Sequence, residues 1–576
     1  MKASDYIAKY LEAKNVKHVF ELSGGMITHI LDSISLKTSI KIITVHHEQS
    51  ASFAADAYGR ITGVPGVALA TSGPGATNLL TGIGSCYFDS SPAVFITGQV
   101  NRHEQKGDRN IRQLGFQETD IIAMARPITK ACFKVENGDD IPATLISAFK
   151  IATEGRPGPV LIDIPMDLQR VALPDEIILE NGTPSTGKLP PVDKNQLSKL
   201  TADIQKAKRP LLLVGRGVKA AFADVELLKF IEKTNLPVVS SLLALDAVPY
   251  NLPARVGFIG SYGNRWANIA LGECDLLIVA GSRLDIRQTG ADTKYFENRL
   301  IYHIDCEEGE INNRVKGCIP ILADVKQFFN AFISHNQTTS FQAPVEWNGY
   351  IAALKQKWPD TKEVTTPGIN PNLFMHLLSG LSQETSAYLT DVGCHQMWAA
   401  QSLELSAGQS FLTSAGMGAM GFGLPAAIGA SFAANKAPVV LISGDGSLQI
   451  NIQELQTLFR NELPVKIIVM NNRNLGMIRQ FQDSYFESRY QSTFWGYSAP
   501  DFAKVAEAYN ISAKTITEES EINDAVKWLW EGENNGKPVL LQVMIDPHTN
   551  TYPKLAFGKP ITEMEPFSKP IDMEGT

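Results

Sequence analysis

The sequence predicts an α/β protein made of three consecutive domains, each built on a doubly wound parallel sheet. The chain has 576 residues, which at roughly 100–200 residues a domain suggests about three or four domains. Short apolar segments rich in β-branched residues alternate with helical patterns along its length. Two poorly patterned segments divide this alternation into three blocks.

The first block covers residues 1–180. Its predicted strands are His18–Leu22, 40–45, Gly66–Ala70 and 93–97, and the connections between them are helical. Because strand and helix alternate with short connections, the sheet is expected to be parallel. A segment rich in Pro, Gly and Ser at 181–191 is the predicted first linker.

The second block, 190–335, begins with an apolar strand that ends in the Gly-Arg-Gly sequence 215–217. A poorly patterned stretch at about 335–370 predicts a second linker. The third block, 365–550, contains near-continuous apolar strands at 439–443 and 465–470. Four prolines in the last segment, 551–576, predict an extended tail rather than a helix.

Composition excludes several classes of protein. The chain carries 52 basic and 60 acidic side chains, a formal charge of −8, and the signs are mixed, so a nucleic-acid partner is not expected. No apolar run approaches the ~18–20 residues that cross a bilayer, and the start lacks a signal-peptide core. The six cysteines form no CxxC pair, which favours reduced thiols in the cytoplasm.

The strongest chemical signal is the motif SGDGS at 443–447, followed by Asn471 and Asn472. The 24 residues between Gly446 and Asn471 suffice for one βαβ crossover, with a helical face at Leu448, Ile452, Leu455 and Phe459. Asp445 and Asn472 would then follow neighbouring parallel strands, where such sheets bind ligands. Alone, either dipeptide is more often a turn. Together they predict a hard-oxygen site for Mg²⁺ carrying a diphosphate.

These residues resemble the signature of enzymes that use thiamine diphosphate (ThDP), and the resemblance extends over nearly the whole chain to the acetolactate synthase family. The other matching segments are VHHEQ at 45–49, TSGPGATN at 71–78, GQ at 98–99, FQETD at 116–120, RPITK at 126–130, HQMW at 395–398, GAMG at 418–421 and GMIRQ at 476–480. The resemblance implies three domains of the ThDP-enzyme type: an N-terminal pyrimidine-binding domain, a central domain similar to FAD-binding domains, and a C-terminal diphosphate-binding domain.

The resemblance also implies roles for individual residues. Glu48 would hydrogen-bond the aminopyrimidine ring of ThDP, Met420 would hold the cofactor bent, and the Gly418 carbonyl would receive the aminopyrimidine N–H. Asp445, Asn472 and the backbone carbonyl of Asn474 would hold the metal. The residues expected to contact ThDP are Pro74, Asn78, Gln99, Val392, Gly393, Cys394, His395, Gly418, Met420, Gly444, Asp445, Gly446, Ser447, Asn472, Leu475, Gly476 and Met477.

A flavin site is implied for the second block. The Gly-Arg-Gly sequence is by itself half of a dinucleotide fingerprint, and it is joined by GSRLDIR at 281–287, which resembles the family's FAD-contact segment. Ile259 stands where the family typically has a histidine. In this family FAD is usually structural. The residues expected to contact it are Gly215, Gly217, Arg283, Asp285, Arg287, Asp305 and Asp324.

The resemblance also implies positions close to the reaction itself, including the acceptor. Glu48, Gln117, Lys130, Arg287 and Phe481 match family positions near the reacting groups. Phe481 replaces a tryptophan that shapes acceptor preference in the biosynthetic members. The segment between Val100 and Phe116 is longer than the family norm and rich in basic residues. It is either a solvated loop or a cationic wall for an anionic acceptor such as a nucleotide-linked keto sugar.

The predicted function is therefore a carboligase that decarboxylates pyruvate and transfers the two-carbon unit to a 2-oxo acid or to a nucleotide-linked keto sugar. The latter would resemble the subgroup that includes the yersiniose-type flavoenzyme. ThDP, Mg²⁺ and FAD are the expected cofactors, and a homodimer or homotetramer is expected because the family builds its site between two subunits. The alternatives are a pyruvate oxidase, a simple 2-oxo acid decarboxylase and a non-catalytic ThDP-fold subunit.

Overall fold

The computed structural model describes residues 1–178 and 189–571. It contains three consecutive six-stranded sheets with helices on their faces, which confirms the predicted fold class. Most of the predicted first linker lies outside the described residues, and the domain boundaries stay predictions. Within the described ranges, no helix combines the length and apolarity needed to cross a membrane.

The first sheet is wholly parallel, with the strand order β2-β1-β3-β4-β6-β5. Its order reverses between β1 and β3, so the loops after these two strands border one crevice. The strands are β1 His18–Leu22, β2 Lys41–Thr44, β3 Gly66–Ala70, β4 Ala93–Gln99, β5 Ala131–Lys134 and β6 Pro159–Pro165. The helices are α1 Ala3–Ala13, α2 Thr28–Lys37, α3 Glu48–Thr62, α4 Pro74–Asn78, α5 Leu80–Asp89, α6 Ile121–Ala125 and α7 Ile141–Thr153.

The central sheet has the order β12-β11-β10-β7-β8-β9 and is also parallel. Counted within the domain this is the order 3-2-1-4-5-6 that is typical of dinucleotide-binding folds. The strands are β7 Pro210–Val214, β8 Val238–Ser240, β9 Arg255–Phe258, β10 Leu276–Ala280, β11 Leu300–Asp305 and β12 Ile319–Leu322. The helices are α8 Lys194–Lys206, α9 Arg216–Ala220, α10 Asp224–Thr234, α11 Arg265–Glu273, α12 Ile286–Thr289 and α13 Val325–His335.

The third sheet, β14-β13-β15-β16-β18-β17, repeats the topology of the first. Its order reverses between β13 and β15. The strands are β13 Ala387–Thr390, β14 Ser410–Thr413, β15 Val439–Gly444, β16 Val465–Asn471, β17 Ser512–Ile516 and β18 Val539–Met544. The helices are α15 Pro371–Leu381, α16 Cys394–Ser402, α17 Gly423–Ala433, α18 Asp445–Ile450, α19 Leu455–Asn461, α20 Gly476–Tyr485, α21 Phe502–Ala508 and α22 Ile522–Trp528.

Two sequence predictions about local structure are wrong. The second linker contains a helix, α14 (Val345–Lys357), whose Trp347, Ile351 and Leu354 lie in the core of the central domain; the spacing of these three residues was the missed signal. The helix expected after the SGDGS motif is divided into α18, a 3₁₀ turn and α19. Phe459 is 39% exposed, so it does not belong to the buried face.

The C-terminal tail folds back on the molecule. Its strands β19 (Lys554–Leu555) and β20 (Met564–Glu565) pair antiparallel, and no helix occurs between Pro547 and residue 571, the last one described. The buried Arg265 of α11 donates to Glu363 at 2.7 and 2.8 Å and to the carbonyls of the tail residues Met564 and Glu565. The tail is therefore anchored to the central domain.

The first and third domains share one hydrophobic core, in which α3 crosses α17 at very short range. A Cβ atom on Gly429 would lie 2.0 Å from the carbonyl oxygen of Ala54. Only a glycine permits this approach of the two backbones. The crossing consequently sets the orientation of the first domain on the third.

His376 forms an ion-pair cluster between the third domain and the segment that precedes it. Its Nδ1 lies 2.8 Å from Glu404 Oε1, and its Nε2 lies 2.9 Å from Asp360 Oδ2. Tyr250, Arg255 and Lys355 lie around this cluster. Burial disfavours the imidazolium, but the two carboxylates outweigh burial and raise the pKa of His376.

We predict that replacing His376 by Gln destabilises the protein in a pH-dependent way. A raised folded-state pKa contributes stability that is complete below the unfolded value of ~6.5 and is lost as pH rises through the folded value. The loss of unfolding free energy should be on the order of 1 kcal/mol at pH 6 and should shrink toward pH 9. Thermal denaturation across this range measures it. His335→Gln, at an exposed position, is the control, and a pH-independent difference would contradict the prediction.

Candidate active site

Three oxygen-bearing groups meet at the carboxyl edge of the third sheet. Asp445 follows β15 and Asn472 follows β16, as the motif predicted. One terminal atom of the Asn472 amide lies 2.8 Å from the carbonyl oxygen of Asn474 and 3.2 Å from Asp445 Oδ1. If that atom is nitrogen, it donates to both oxygens; if it is oxygen, three oxygens converge as the ligands of a hard cation do.

The electrostatics of Asp445 fit a cation at this point. Burial raises the pKa of Asp445 to about 7, and the hydrogen bond from Tyr497 only partly opposes burial. The Tyr497 hydroxyl donates to Asp445 Oδ2 at 3.2 Å. A divalent ion held by Asp445, Asn472 and Asn474 would stabilise the carboxylate form. The described residues contain no group of three or more His, Cys, Asp or Glu with metal-ligand geometry. The site at Asp445 would not form such a group, because it combines one carboxylate with an amide and a backbone carbonyl.

A buried carboxylate holds the loops that surround this edge. Asp391 accepts hydrogen bonds from the backbone nitrogens of Val392, Gly421 and Gly423 at 2.8–2.9 Å. Burial nevertheless raises the pKa of Asp391 to about 6. Asp391 follows β13 directly, so it occupies the same position after its strand as Asp445 does after β15. Asp391 is not among the predicted site residues, although an acidic residue directly after an apolar strand was the available signal.

His395 lies beneath the same loops. Its ring is so close to Gly393 and Gly444 that a Cβ on either glycine would lie 2.7–2.9 Å from ring atoms. Burial lowers the pKa of His395 to about 3, so the ring is neutral, and its buried Nε2 has no hydrogen-bond partner among the described residues. Ser447 donates to the Val392 carbonyl at 2.8 Å. The two glycines therefore make room for the buried His395 ring against the backbone of both loops.

The remaining predicted third-domain residues surround Gly446 and Asn472. A Cβ on Gly446 would lie 2.6 Å from Leu475 and 3.5 Å from the Met420 methyl carbon. A Cβ on Gly476 would meet the Asn472 amide and the Cys394 sulfur. Met477 packs against the neighbouring core. Gly418, with φ +65°, has open space on its Cβ side.

The first-domain residues form a second group. Glu48 begins α3, is 7% exposed, and accepts a hydrogen bond from Asn78 Nδ2 at 2.9 Å. A Cβ on Gly75 would lie 3.2 Å from its Oε1. Gln117, with φ +65°, packs against the backbone at Gly73. This group lies at the carboxyl edge of the first sheet.

Other predicted first-domain residues have different surroundings. Pro74 is the first residue of α4, next to Gly75. Gln99 donates to the Thr119 carbonyl at 2.8 Å and to Asp163 at 3.0 Å. The Lys130 ammonium donates to the carbonyls of Glu154 and Arg156 just beyond α7.

Neighbours of the two groups are hydrogen-bonded within one chain, because Asn451 Nδ2 donates to Gln49 Oε1 at 3.0 Å and to the Gly421 carbonyl at 2.8 Å. Among the described residues, no hydrogen bond connects Glu48 with Asp445, Asn472 or Asn474. Phe481 belongs to the third-domain group. It lies on α20, is 38% exposed, and its ring centre is 4.7 Å from that of Tyr485. A complete site would need both groups.

A cavity of about 720 Å³ lies where the three domains meet. It begins at the edge of the central sheet, where the backbones of Gly217 and Gly281 touch. Six of the seven predicted flavin contacts line it, namely Gly217, Arg283, Asp285, Arg287, Asp305 and Asp324. Gly215 lies behind this surface, against Gly281 and Ser282. Val392 and Gly418 form part of the opposite wall.

Comparisons with known proteins identify the class. Family models match residues 1–124 as the thiamine pyrophosphate enzyme N-terminal TPP binding domain, 197–332 as the central domain and 391–543 as the C-terminal TPP binding domain. Thiamine pyrophosphate is ThDP under another name. The matches and the three parallel sheets define a ThDP-dependent enzyme.

Three curated relatives narrow this class. The chain is 37% identical over 561 residues to a probable acetolactate synthase large subunit of Methanocaldococcus jannaschii, covering 95% of this chain and 92% of the relative. It is 36% identical over 567 residues to the acetolactate synthase isozyme 2 large subunit of Escherichia coli K12, covering 98% and 99%. It is 36% identical over 569 residues to acetolactate synthase 3 of Brassica napus, covering 97% and 85%. The chain belongs to the acetolactate synthase family of ThDP-dependent transferases.

We predict that Gly444→Ala destabilises the protein through His395. The new Cβ would lie 2.8 Å from His395 Nδ1, and forcing apart a packed site costs about 1–3 kcal/mol of unfolding free energy. Since φ at Gly444 is −95°, backbone strain does not contribute. Chemical denaturation measures the change, and Gly380→Ala is the control, because a Cβ there would meet no described atom within 4 Å apart from its chain neighbours and its own helix backbone.

A double-mutant cycle tests the cause. His395→Ala should itself destabilise the protein, but it should make the added Gly444→Ala change nearly neutral, because the ring that the methyl group meets is gone. If the two changes were additive, the contact with His395 would not be the reason.

Proposed function

We propose that this enzyme is a Mg²⁺-dependent carboligase that decarboxylates pyruvate and transfers the resulting two-carbon unit to a ketone. The C1–C2 bond of pyruvate breaks and releases CO₂. The electron pair of that bond ends in a new bond from C2 to the acceptor carbonyl carbon, and the acceptor oxygen takes a proton. The product is a tertiary alcohol with an acetyl branch. The observation that carries this proposal is a buried glutamate and an oxygen-ligand site at corresponding edges of two sheets with the same topology.

The chain offers fitting partners for ThDP. When bound, ThDP supplies a nucleophilic carbon and an acceptor for the electron pair released with CO₂. Glu48 would exchange a proton with the pyrimidine ring, since Asn78 orients one of its oxygens and the other faces the Gly75 backbone. Asp445, Asn472 and Asn474 would hold Mg²⁺ against the diphosphate. The loops held by Asp391 would provide backbone N–H groups beside it.

A homodimer or homotetramer would complete the site. Within the described residues, no hydrogen bond joins Glu48 to Asp445, Asn472 or Asn474 in one chain, and symmetric dimers are the commonest way for two such surfaces to meet. Exposed apolar side chains occur near both groups: Ile111, Leu114 and Phe116 precede Gln117, and Phe494 and Trp495 precede Tyr497. Burial between two copies would remove them from water.

FAD is the proposed occupant of the large cavity. The dinucleotide-type strand order, the backbone contact of Gly217 with Gly281, and the carboxylates of Asp305 and Asp324 at its wall support a nucleotide. Burial raises the pKa of Asp305 to about 6. We assign the flavin a structural role, and electron transfer to it would make the enzyme a pyruvate oxidase instead.

Two acceptors have separate support. The relatives named acetolactate synthase support a second 2-oxo acid. The long basic loop supports a nucleotide-linked keto sugar, because Arg109 and Arg112 are exposed and anchoring contacts order the loop. Glu118 accepts the backbone nitrogens of Lys106 and Leu114 at 2.6 and 2.9 Å. Arg102 is already paired with Asp167, so it is the least suited of the basic residues to bind a substrate.

The acceptor is tested by NMR with carbon-13 pyruvate, ThDP, Mg²⁺ and FAD, with and without a nucleotide-linked 4-keto sugar. We expect labelled acetyl-branched product, acetolactate if the acceptor is a 2-oxo acid and a branched sugar if it is the keto sugar. In the second case, replacing Arg109 and Arg112 by Gln should raise the sugar KM about tenfold or more and leave ThDP binding unchanged.

The rival functions give other results in the same experiment. Acetaldehyde without any branched product would indicate a simple decarboxylase. Flavin bleaching followed by peroxide would indicate an oxidase. No turnover of pyruvate, with or without an acceptor, would overturn the proposed catalytic function.

The shared site is tested by mixing two inactive variants. Glu48→Gln removes the proton-exchanging group and Asp445→Asn removes the metal carboxylate, so each alone should lose at least 100-fold in kcat. If one site uses Glu48 of one copy and Asp445 of the other, random mixed dimers restore about a quarter of wild-type activity. Activity that stays at the level of the single variants after subunit exchange would place both residues in one chain.

A further inference from the structure

Asp89, the last residue of α5, accepts hydrogen bonds from donors in all three domains. Its buried carboxylate accepts the backbone nitrogens of Ala415 and Gly416 from the third domain at 3.0 and 2.7 Å. It also accepts Nη2 of Arg60 from the first domain at 3.1 Å. Its backbone carbonyl accepts Nε of Arg216 from the central domain at 3.2 Å.

Arg60 holds the first residue of the third-domain segment 413–416, the segment to which Asp89 also binds. Its Nη1 donates to the carbonyl of Thr413, the last residue of β14, at 2.8 Å. The guanidinium is buried and lies 5.5 Å from the ring centre of Phe422. The backbone of 413–416 is thus held at one carbonyl and two N–H groups by a single ion pair of the first domain.

The segment held in this way leads directly to the proposed ThDP contact. Residues 414–418 line the large cavity together with Asp89 and Arg216, and Gly418 is the residue whose carbonyl would meet the aminopyrimidine ring. Gly416 lies so close to α5 that a Cβ there would be 2.7 Å from the Phe88 Cβ and 3.0 Å from Asp89 Oδ1. A Cβ on Gly418 would meet no atom within 4 Å among the described residues, so the position of its carbonyl depends on the anchored residues on either side: Gly416, and Ala419, whose backbone nitrogen donates to Ser414 Oγ at 3.1 Å.

We propose that Asp89 is a positioning residue for ThDP: it holds the backbone of Ala415 and Gly416 on the first domain and so places the Gly418 carbonyl for the cofactor. This inference rests on the proposed ThDP site. It also links the large cavity to the ThDP site, because an occupant that contacts Arg216 and residues 414–418 touches the segment that Asp89 holds.

Asp56 is the control residue that separates a positioning role of Asp89 from a contribution to stability alone. It is as buried as Asp89, and it binds the same guanidinium at 2.6 and 3.0 Å. Its oxygens, however, have no hydrogen bond to 413–418 among the described residues. Loss of either carboxylate leaves Arg60 with one buried partner fewer, whereas only loss of Asp89 releases the two backbone N–H groups.

The experiment compares Asp89→Asn with Asp56→Asn, using the full-length protein with Mg²⁺. ThDP binding is measured by isothermal titration calorimetry, and the Tm of the cofactor-free protein is measured in parallel. An Asn side chain has one acceptor oxygen and an NH₂ group, so at position 89 it cannot accept from Arg60 and both backbone nitrogens. We expect both variants to lower Tm, but only Asp89→Asn to weaken ThDP binding, by about tenfold or more.

A second pair of variants covers the case in which Asp89→Asn does not fold. Gly416→Ala keeps every buried charge and moves the segment off α5 by steric contact, so it should also weaken ThDP binding severalfold, and Gly380→Ala should not. If Asp89→Asn and Gly416→Ala bind ThDP as tightly as wild type, or if Asp56→Asn weakens binding equally, the positioning role is wrong. If wild type itself does not bind ThDP, the proposed function fails instead.

Discussion

The crossing of α3 and α17 is the contact on which the relation between the first and third domains depends. Gly429 lets the backbone of α17 approach the Ala54 carbonyl of α3 so closely that any side chain would prevent it. Glu48 is the first residue of α3, and α17 begins at Gly423, which Asp391 holds. The crossing therefore fixes the position of Glu48 relative to the third-domain loops. A larger residue at Gly429 would displace one from the other.

Buried carboxylates anchor the loops at the sheet edges. Asp391 accepts three backbone N–H groups, and Asp89 accepts two together with a guanidinium. Such charge-assisted bonds are stronger than neutral ones, and they act where regular secondary structure has ended. Asp445 differs because it accepts a hydrogen bond from a tyrosine hydroxyl but forms no salt bridge within residues 1–178 and 189–571. The negative charge of Asp445 is therefore the one that a bound metal ion would balance.

The central domain differs from its neighbours in topology and in use. Its sheet has the order of a dinucleotide-binding fold, whereas the outer two sheets share another order. Its switch point faces a cavity whose far wall is formed by the first and third domains. The tail, anchored by Arg265, joins it to α20, since Thr551 and Gln480 exchange two hydrogen bonds. An occupant of the cavity would thus contact all three domains.

The sequence by itself determined the three parallel sheets and the placement of Asp445 and Asn472, because strand pattern and crossover length are local properties of the chain. The resemblance to a family pointed to Glu48, which lacks such a local pattern. Only the tertiary structure decided that Asp391 holds the loops at this edge, that Tyr497 donates to Asp445 and that Asp89 accepts from Ala415 and Gly416. It also decided that the helix after Asp445 is broken and that the Lys130 ammonium binds the carbonyls beyond α7. These depend on contacts between residues far apart in sequence, Asp89 with Ala415 for example, and a one-dimensional pattern does not contain such distances.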